Sequence, residues 1–327
     1  MRLIVGVDLG GTNIVVGTLP EDGSAVYGHQ LQPTPVAEGP DAVVGRIVEL
    51  IGKSLTATKR ELGTDDLNLA GVGIGSPGPL NTQTGIVVMT PNLGWRNMPL
   101  RDRIADATGL AATLENDANC ATLGEWWRGA AQGAQHVVGL TVGTGIGGGV
   151  VLDGKILHGA SDVAGEIGHM TIDMTGRLCK CGNYGCLEAY ASGPNIAARA
   201  VEELLAGAVT KLPDYVGGDL DRITAQVVYE AARDGDELAL DVVRDTARVL
   251  GVGIATLVNI LNPEIVVVAG GVTLAGDRLF APLRAEVKRR AFRPAVDACR
   301  IVPGALPGTA GVYGAVASFK QQKWGAV

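Results

Sequence analysis

The stretch IVGVDLGGTNIVVGTLPEDG, from Ile4, and the stretch VVGLTVGTGIGGGVVLDG, from Val137, follow one plan. Each opens on a β-branched pair and a glycine, passes through an apolar–polar–apolar step into a Gly/Thr turn, returns as a strand and ends in Asp-Gly. They align with one shift near the end. A strand–turn–strand that occurs twice in the same order points to an internal duplication, and so to two related units. The length of 327 residues agrees, since single cores rarely grow beyond about 250–300 residues.

The remaining pattern alternates strands with helices, which is the signature of α/β layers. In the first half, residues 3–7, 13–19 and about 25–32 read as strands. Residues 40–62 carry helical spacing at Val43, Val44, Ile47, Leu50, Ile51 and Leu55. A strand at 69–75 is broken by Pro77-Gly78-Pro79. A helix at 99–109, a strand at 111–115 and a helix at 118–130 follow. After the second hairpin come helices at 194–206, 224–234 and 237–261, a strand at 264–269, a helix at 277–291, a strand at 299–302 and a last helix at 310–321. The one soft linker is 207–222. The expected domains are a small N-terminal α/β domain, 1–117, joined by a C-terminal helix at about 304–327, and a larger α/β domain, 118–303.

Composition narrows the function classes. Glycine supplies 48 of 327 residues, about twice the ordinary share of roughly 7%. With no G-x-y period the surplus reads as tight turns and backbone-lined sites. Net charge is −7, and the one basic tract is KRR at 288–290, so nucleic acid is not the expected partner. A small anion stays open, because backbone N–H groups bind phosphate without basic side chains. No apolar run reaches bilayer length and no leader pattern stands at Met1. The expectation is a cytoplasmic protein without membrane contact, with its thiols reduced.

Several clusters carry chemistry. Asp8-Leu9-Gly10-Gly11-Thr12 occupies the first turn. Its amides and the Thr12 hydroxyl suit phosphate, and Asp8 suits magnesium; the plain alternative is a hairpin turn with an aspartate. The second turn, Gly143 to Gly149, is a stronger anion cradle. Neither turn fits the P-loop pattern. Asp117, in Glu115-Asn116-Asp117-Ala118-Asn119, follows a strand and opens a helix. It is either the helix N-cap or a general base for a hydroxyl nucleophile. Cys179, Cys181 and Cys186 lie within eight residues, with His169 ten residues upstream of the first. In a reduced compartment this favours a tetrahedral zinc site over a disulfide knot. Cys120 and Cys299 are isolated and read as inert.

In this order, DLGGT at 8–12, ENDANC at 115–120, GTGIGGG at 143–149, GEIGH at 165–169, CKCGNYGCLE at 179–188 and NPEIVVVAGG at 262–271 resemble the ROK family of sugar kinases and repressors over nearly the whole chain, and within it the bacterial glucokinases. The resemblance implies the actin-like ATPase (ribonuclease H-like) fold, two α/β domains with an interdomain cleft. It implies zinc on His169, Cys179, Cys181 and Cys186, and a sugar held by Asn92, Asn116, Asp117, Glu166, His169 and Glu188. His169 would place one ring nitrogen on zinc and the other on a sugar hydroxyl. Asp117 would be the catalytic base toward the 6-hydroxyl as it attacks the γ-phosphorus of ATP. Asp8, Gly10, Gly11 and Thr12, with Thr144 and Gly145, would contact phosphates and Mg²⁺, and Gly270 and Gly271 would flank the adenosine. Ala269 departs from the pattern, which often has a third glycine there, and its methyl group bears on the adenosine wall. The family also implies a homodimer or homotetramer.

The expected function is an ATP-dependent glucokinase making glucose 6-phosphate, with domain closure keeping water from the γ-phosphate. A kinase for another hexose or an N-acetylated amino sugar is the near alternative. A polyphosphate donor fits less well, since a long polyanion favours a basic groove. A sugar-sensing repressor is the remote alternative: such repressors carry a helix-turn-helix ahead of the sugar domain, and here the first glycine turn already begins at residue 8. A zinc-bearing binding module without catalysis would have no need of both Asp8 and Asp117.

Overall fold

A computed structural model describes all 327 residues, Met1–Val327. They form two compact units. Unit 1 comprises Met1–Gln135, Gly149–Gly165 and Ala305–Val327; unit 2 comprises His136–Gly148 and Glu166–Gly304. No helix is long and apolar enough to cross a membrane.

In chain order the elements are β1 (Arg2–Leu9), β2 (Asn13–Pro20), β3 (Tyr27–Pro33), α1 (Pro40–Leu62), β4 (Asn68–Ser76), β5 (Leu80–Asn81), β6 (Ile86–Thr90), β7 (Trp95–Met98), α2 (Leu100–Thr108), β8 (Ala112–Asn116) and α3 (Asp117–Arg128). Next come β9 (Val137–Val142), β10 (Ile146–Leu152), β11 (Lys155–Ile156), α4 (Glu188–Ala191), α5 (Gly193–Leu205), α6 (Leu212–Tyr215), α7 (Ala225–Arg233) and α8 (Glu237–Leu261). The chain ends with β12 (Ile265–Ala269), α9 (Asp277–Arg290), α10 (Arg293–Ala298), β13 (Arg300–Pro303) and α11 (Ala310–Trp324).

The first main sheet has the order β3-β2-β1-β4-β8 and the second β11-β10-β9-β12-β13. The order is the same in both. A central strand, β1 or β9, begins a hairpin on one side and takes a parallel strand, β4 or β12, on the other; a further parallel strand, β8 or β13, completes the sheet. The repeat seen in the sequence is thus a repeat of topology. Central strands are apolar on both faces, as covered parallel sheets require: Leu3, Ile4, Val5 and Val7 of β1, and Ile265 to Val268 of β12, are buried.

In unit 1, α1 runs over the expected residues. Pro40 fits its first turn, Gly63 ends it in the left-handed conformation, and Val43, Ile47, Leu50 and Ile51 are buried. On unit 1's other flank, α11 lies at backbone contact distance from both neighbours. A Cβ on Gly73 of β4 would come within 2.0 Å of the Ala315 carbonyl oxygen, and one on Gly314 within 1.6 Å of the Cys120 carbonyl oxygen of α3. Part of the glycine surplus therefore serves close packing of helix on strand and helix on helix, beyond the turns the composition suggested.

Two sequence readings differ from the structure. The boundary at 117 falls between β8 and α3, both inside unit 1. Helix α3 stays there because Gly124 lets it lie against Ala310 of α11, where a Cβ would meet the carbonyl oxygen at 2.1 Å. The segment 207–222 is internal to unit 2. It folds into α6 and a 3-10 turn, Leu220–Arg222, and is fastened by fully buried Leu212 and by Asp236, whose carboxylate accepts from the Thr210 hydroxyl and the Lys211 N–H. Residues 80–98, for which the sequence pattern gives no element, form a separate sheet, β5-β6-β7.

Candidate active site

In unit 1 the predicted residues gather at the C-terminal ends of parallel strands, where α/β sheets place their ligands. Asp8 aligns with Gly75, and Gly75 with Glu115, across β1, β4 and β8. The turn after β1 is closed by the Gly10 N–H donating to the Asn13 carbonyl at 2.9 Å. It is braced from β3 by Thr34, whose N–H donates to the Thr12 carbonyl (2.8 Å) and whose hydroxyl donates to the Gly10 carbonyl (2.7 Å). Gly11 and Thr12 are exposed. Asn92 stands beside them on the 3-10 turn between β6 and β7; a Cβ on Gly11 would lie 3.5 Å from the Asn92 Cβ.

The Asp8 carboxylate faces the first turn of α11, where a Cβ on Gly311 would come within 2.1 Å of Oδ2. Burial, and then the charge of Asp117, push its pKa up to about 7. Two carboxylates within electrostatic reach of one another form a donor set that suits a hard divalent cation, which neutralises both.

Asn116, rather than Asp117, caps α3. Its Oδ1 accepts the Ala118 N–H at 2.9 Å and the Asn119 N–H at 3.1 Å, while Asp117 takes the first helical position and accepts the Ala118 N–H at 2.8 Å. Glu115, two residues before, is buried and holds the junction from below. Its Oε1 accepts the Asn116 N–H (3.0 Å) and Asn119 Nδ2 (2.9 Å); its Oε2 bonds the Ser318 hydroxyl (3.2 Å) and His158 Nε2 (2.8 Å). No local pattern announces the His158 contact.

Unit 2 carries the second turn. Gly143 N–H donates to the Gly145 carbonyl at 2.9 Å, and Gly193, at the start of α5, donates to the Gly143 carbonyl at 2.8 Å. Beside it lies a cavity of about 650 Å³ walled by Thr144, Gly193, Ile223, Gln226, Tyr229 and Val272, among others. Its lining is mainly apolar with a few polar groups, the usual make-up of a cofactor pocket. The Tyr229 hydroxyl is buried without a partner in the chain, and burial raises its pKa. Gly271 lines the cavity, while Gly270 sits at φ +96° and passes so close to β9 that a Cβ would lie 2.2 Å from the Val142 carbonyl oxygen. Ala269 pairs with Thr141 inside the sheet and is not part of the wall. The α7 residues of this cavity, Gln226 and Tyr229, lie on a helix whose sequence shows only amphipathic spacing, so sequence reasoning passed over them.

The cysteine loop is also in unit 2. The ligand atoms of His169, Cys179, Cys181 and Cys186 all lie within 4.8 Å of one another. Cys181 and Cys186 sulfurs are 3.6 Å apart and Cys179 Sγ is 3.9 Å from His169 Nδ1. Tetrahedral zinc with Zn–S bonds of about 2.3 Å separates its ligand atoms by roughly 3.8 Å, so the set fits zinc. Thiolates this close repel, and a dication at their centre offsets the repulsion. His169 splits its ring: Nδ1 faces the sulfurs and Nε2 faces Glu166 Oε2 at 4.0 Å. Glu188 spans from this loop to the glycine turn. Its Oε1 is 4.0 Å from Cys179 Sγ, and its Oε2 accepts the Ile146 N–H at 2.8 Å, close against Gly145.

The family model for the ROK family matches residues 4–322. A glucokinase of Halalkalibacterium halodurans is 39% identical over 326 residues, covering 98% of this chain and 96% of the relative. The crystal structure of a ROK family glucokinase from Streptomyces griseus in complex with glucose and AMPPNP superposes with a TM-score of 0.80 at 34% identity, over 96% of this chain and 98% of that one. A ROK family transcriptional regulator, a homologue of the E. coli MLC protein, gives a TM-score of 0.84 at 28% identity, over 96% of this chain and 77% of that one. The architecture is the α/β fold of the actin, hexokinase and ROK proteins. By its sequence match along nearly its whole length, the chain belongs to the ROK family.

Proposed function

We propose that this protein is an ATP-dependent glucokinase, which transfers the γ-phosphoryl group of ATP to the 6-hydroxyl of glucose. The observation that carries the reading is Asp117 at the first position of α3. Asn116 does the capping, and the Asp117 carboxylate stands at the end of β8 within electrostatic reach of Asp8. The Streptomyces griseus relative, bound to glucose and AMPPNP, supports both ligands.

Phosphoryl transfer asks a protein for position and charge neutralisation rather than covalent chemistry. Asp117 accepts the proton of the attacking hydroxyl as the base. The Asn116 amide nitrogen, its Oδ1 already engaged in the cap, donates to a sugar oxygen. Asn92, Glu166, His169 through Nε2, and Glu188 supply the remaining donors and acceptors for hydroxyls. Gly10, Gly11 and Thr12, with Thr144 and Gly145, meet the phosphates, and Asp8 would hold Mg²⁺, which would neutralise phosphate charge. Gly270, Gly271 and the apolar cavity of unit 2 take the adenosine, with the Tyr229 hydroxyl offered to it. His169, Cys179, Cys181 and Cys186 would hold a zinc ion, and its role would be structural, because four protein ligands leave no open position. A cytoplasmic homo-oligomer without a nucleic-acid partner is the setting we infer, from the resemblance and the net charge of −7.

The deciding experiment is a coupled assay of ADP release over a panel of hexoses and N-acetylated amino sugars, with ATP or polyphosphate as donor. Glucose with ATP and Mg²⁺ is expected to give the highest kcat/KM, with kcat on the order of 1–100 s⁻¹. Preference for another sugar or for polyphosphate would revise the specificity. The absence of turnover with every sugar would overturn the kinase reading in favour of sugar sensing.

A further inference from the structure

We infer that His158 is a positioning residue for Asp117 and acts through the buried carboxylate of Glu115. The inference rests on the kinase reading for its catalytic consequence, though the contacts themselves do not. Four donors converge on Glu115. The Asn116 N–H and Asn119 Nδ2 meet Oε1; the Ser318 hydroxyl and His158 Nε2 meet Oε2. Asn116 and Asn119 flank Asp117 on both sides, so one carboxylate oxygen holds the backbone N–H just before Asp117 and a side chain two residues after it.

A carboxyl group that is 1% exposed, as that of Glu115 is, is tolerable in a protein interior only when it is hydrogen-bonded and, if charged, paired. Of its four partners His158 is the one that can carry a positive charge. The same contact raises the His158 pKa above its ordinary value, against the opposing effect of burial. The segment that delivers His158 is anchored at more than this point. The His158 carbonyl accepts the Ala164 N–H at 3.1 Å. Asp162 adopts a left-handed conformation (φ +58°) and accepts the Thr82 N–H at 3.0 Å and the Thr82 hydroxyl at 3.3 Å. The imidazole is therefore presented to β8 by a loop pinned on the same unit. Losing its N–H leaves Oε2 short of a donor, and the carboxylate can then turn from the strand–helix junction. Phosphoryl transfer is sensitive to such small displacements of the base.

The test compares wild type with His158→Ala, His158→Phe and His158→Gln by steady-state kinetics and by amide hydrogen exchange at Asn116, Ala118 and Asn119. Alanine and phenylalanine are expected to lower kcat by about 10- to 100-fold while KM for glucose stays within about threefold, and to speed exchange at the three amides. Glutamine, which keeps a donor near the place of Nε2, is expected to restore most of both. Phenylalanine keeps the bulk of the ring and serves if the alanine variant does not fold. Unchanged kcat, a change confined to KM for glucose, unaltered exchange, or no recovery with glutamine would each overturn the inference. A wild-type protein that phosphorylates no sugar would sink the kinase reading instead, and the exchange data would still decide the Glu115–His158 clamp.

Discussion

Asn116 and Asp117 are neighbours of near-equal capping ability, and sequence alone could not divide the work between them. Either side chain satisfies the preference for a short polar acceptor at a helix N-terminus. The extended backbone at Asn116 decides it, since only a residue outside the helix can turn its oxygen back on the amides of the next two residues but one. The Glu115–His158 pair was less legible still. Its partners are 43 residues apart, in a strand and a loop, and no periodicity connects them. The pair makes a prediction about pH. His158 faces Glu115 and Asp162, and Lys155 borders the same small cavity. Its folded pKa is raised above the ordinary value of an imidazole. The stability it contributes is then fully present below the unfolded pKa and is lost as pH rises through the folded one. Unfolding by urea from about pH 5 to about pH 8 should show wild type losing stability relative to His158→Gln as pH rises. Asp8 loses its proton in the same range but is common to both proteins, so it cancels in the difference. A pH-independent difference would contradict the charged pairing.

The elements that the sequence displayed best are those with long periodic patterns. Helix α8 (Glu237–Leu261) and α1 match residue for residue because their buried stripes run for many turns between clear caps. Short elements escaped. The strands β5, β6 and β7 hold only two, five and four residues, behind a Pro-Gly-Pro that reads as a break. Yet that small sheet is what carries Asn92 to the first glycine turn. The cysteine loop is the opposite case, having almost no regular structure but ligands that sequence could name. Its position also shows what a metal there would do. His169 and Glu188 each reach from the cysteines toward another part of unit 2, so a zinc ion held there would brace the groups proposed for the sugar. Metal analysis should find one zinc per chain. Cys186→Ser should lose it and weaken glucose binding by about tenfold or more, while nucleotide binding is kept. Protein purified without added zinc that holds no metal, or a variant with wild-type glucose affinity, would contradict this.

For the whole molecule, the repeated hairpin was the most informative feature of the sequence, because a duplicated topology gives a duplicated pair of glycine turns. One turn lies beside Asp8 in unit 1 and the other beside the apolar cavity in unit 2. Unit boundaries were harder to read. The chain passes between units at 135/136, 148/149, 165/166 and 304/305, and a linear reading has no means of seeing that α3 and α11 belong together until their glycines are seen to interlock. Asp117 is the residue on which the proposed glucokinase chemistry turns. The most direct test follows formation of glucose 6-phosphate from glucose and ATP by wild type and Asp117→Ala, with calorimetric glucose binding measured on the same samples. Wild type should form the product, and the variant should lose about 10²- to 10⁴-fold in kcat while still binding glucose, more weakly. Turnover by Asp117→Ala at the wild-type rate would contradict the account.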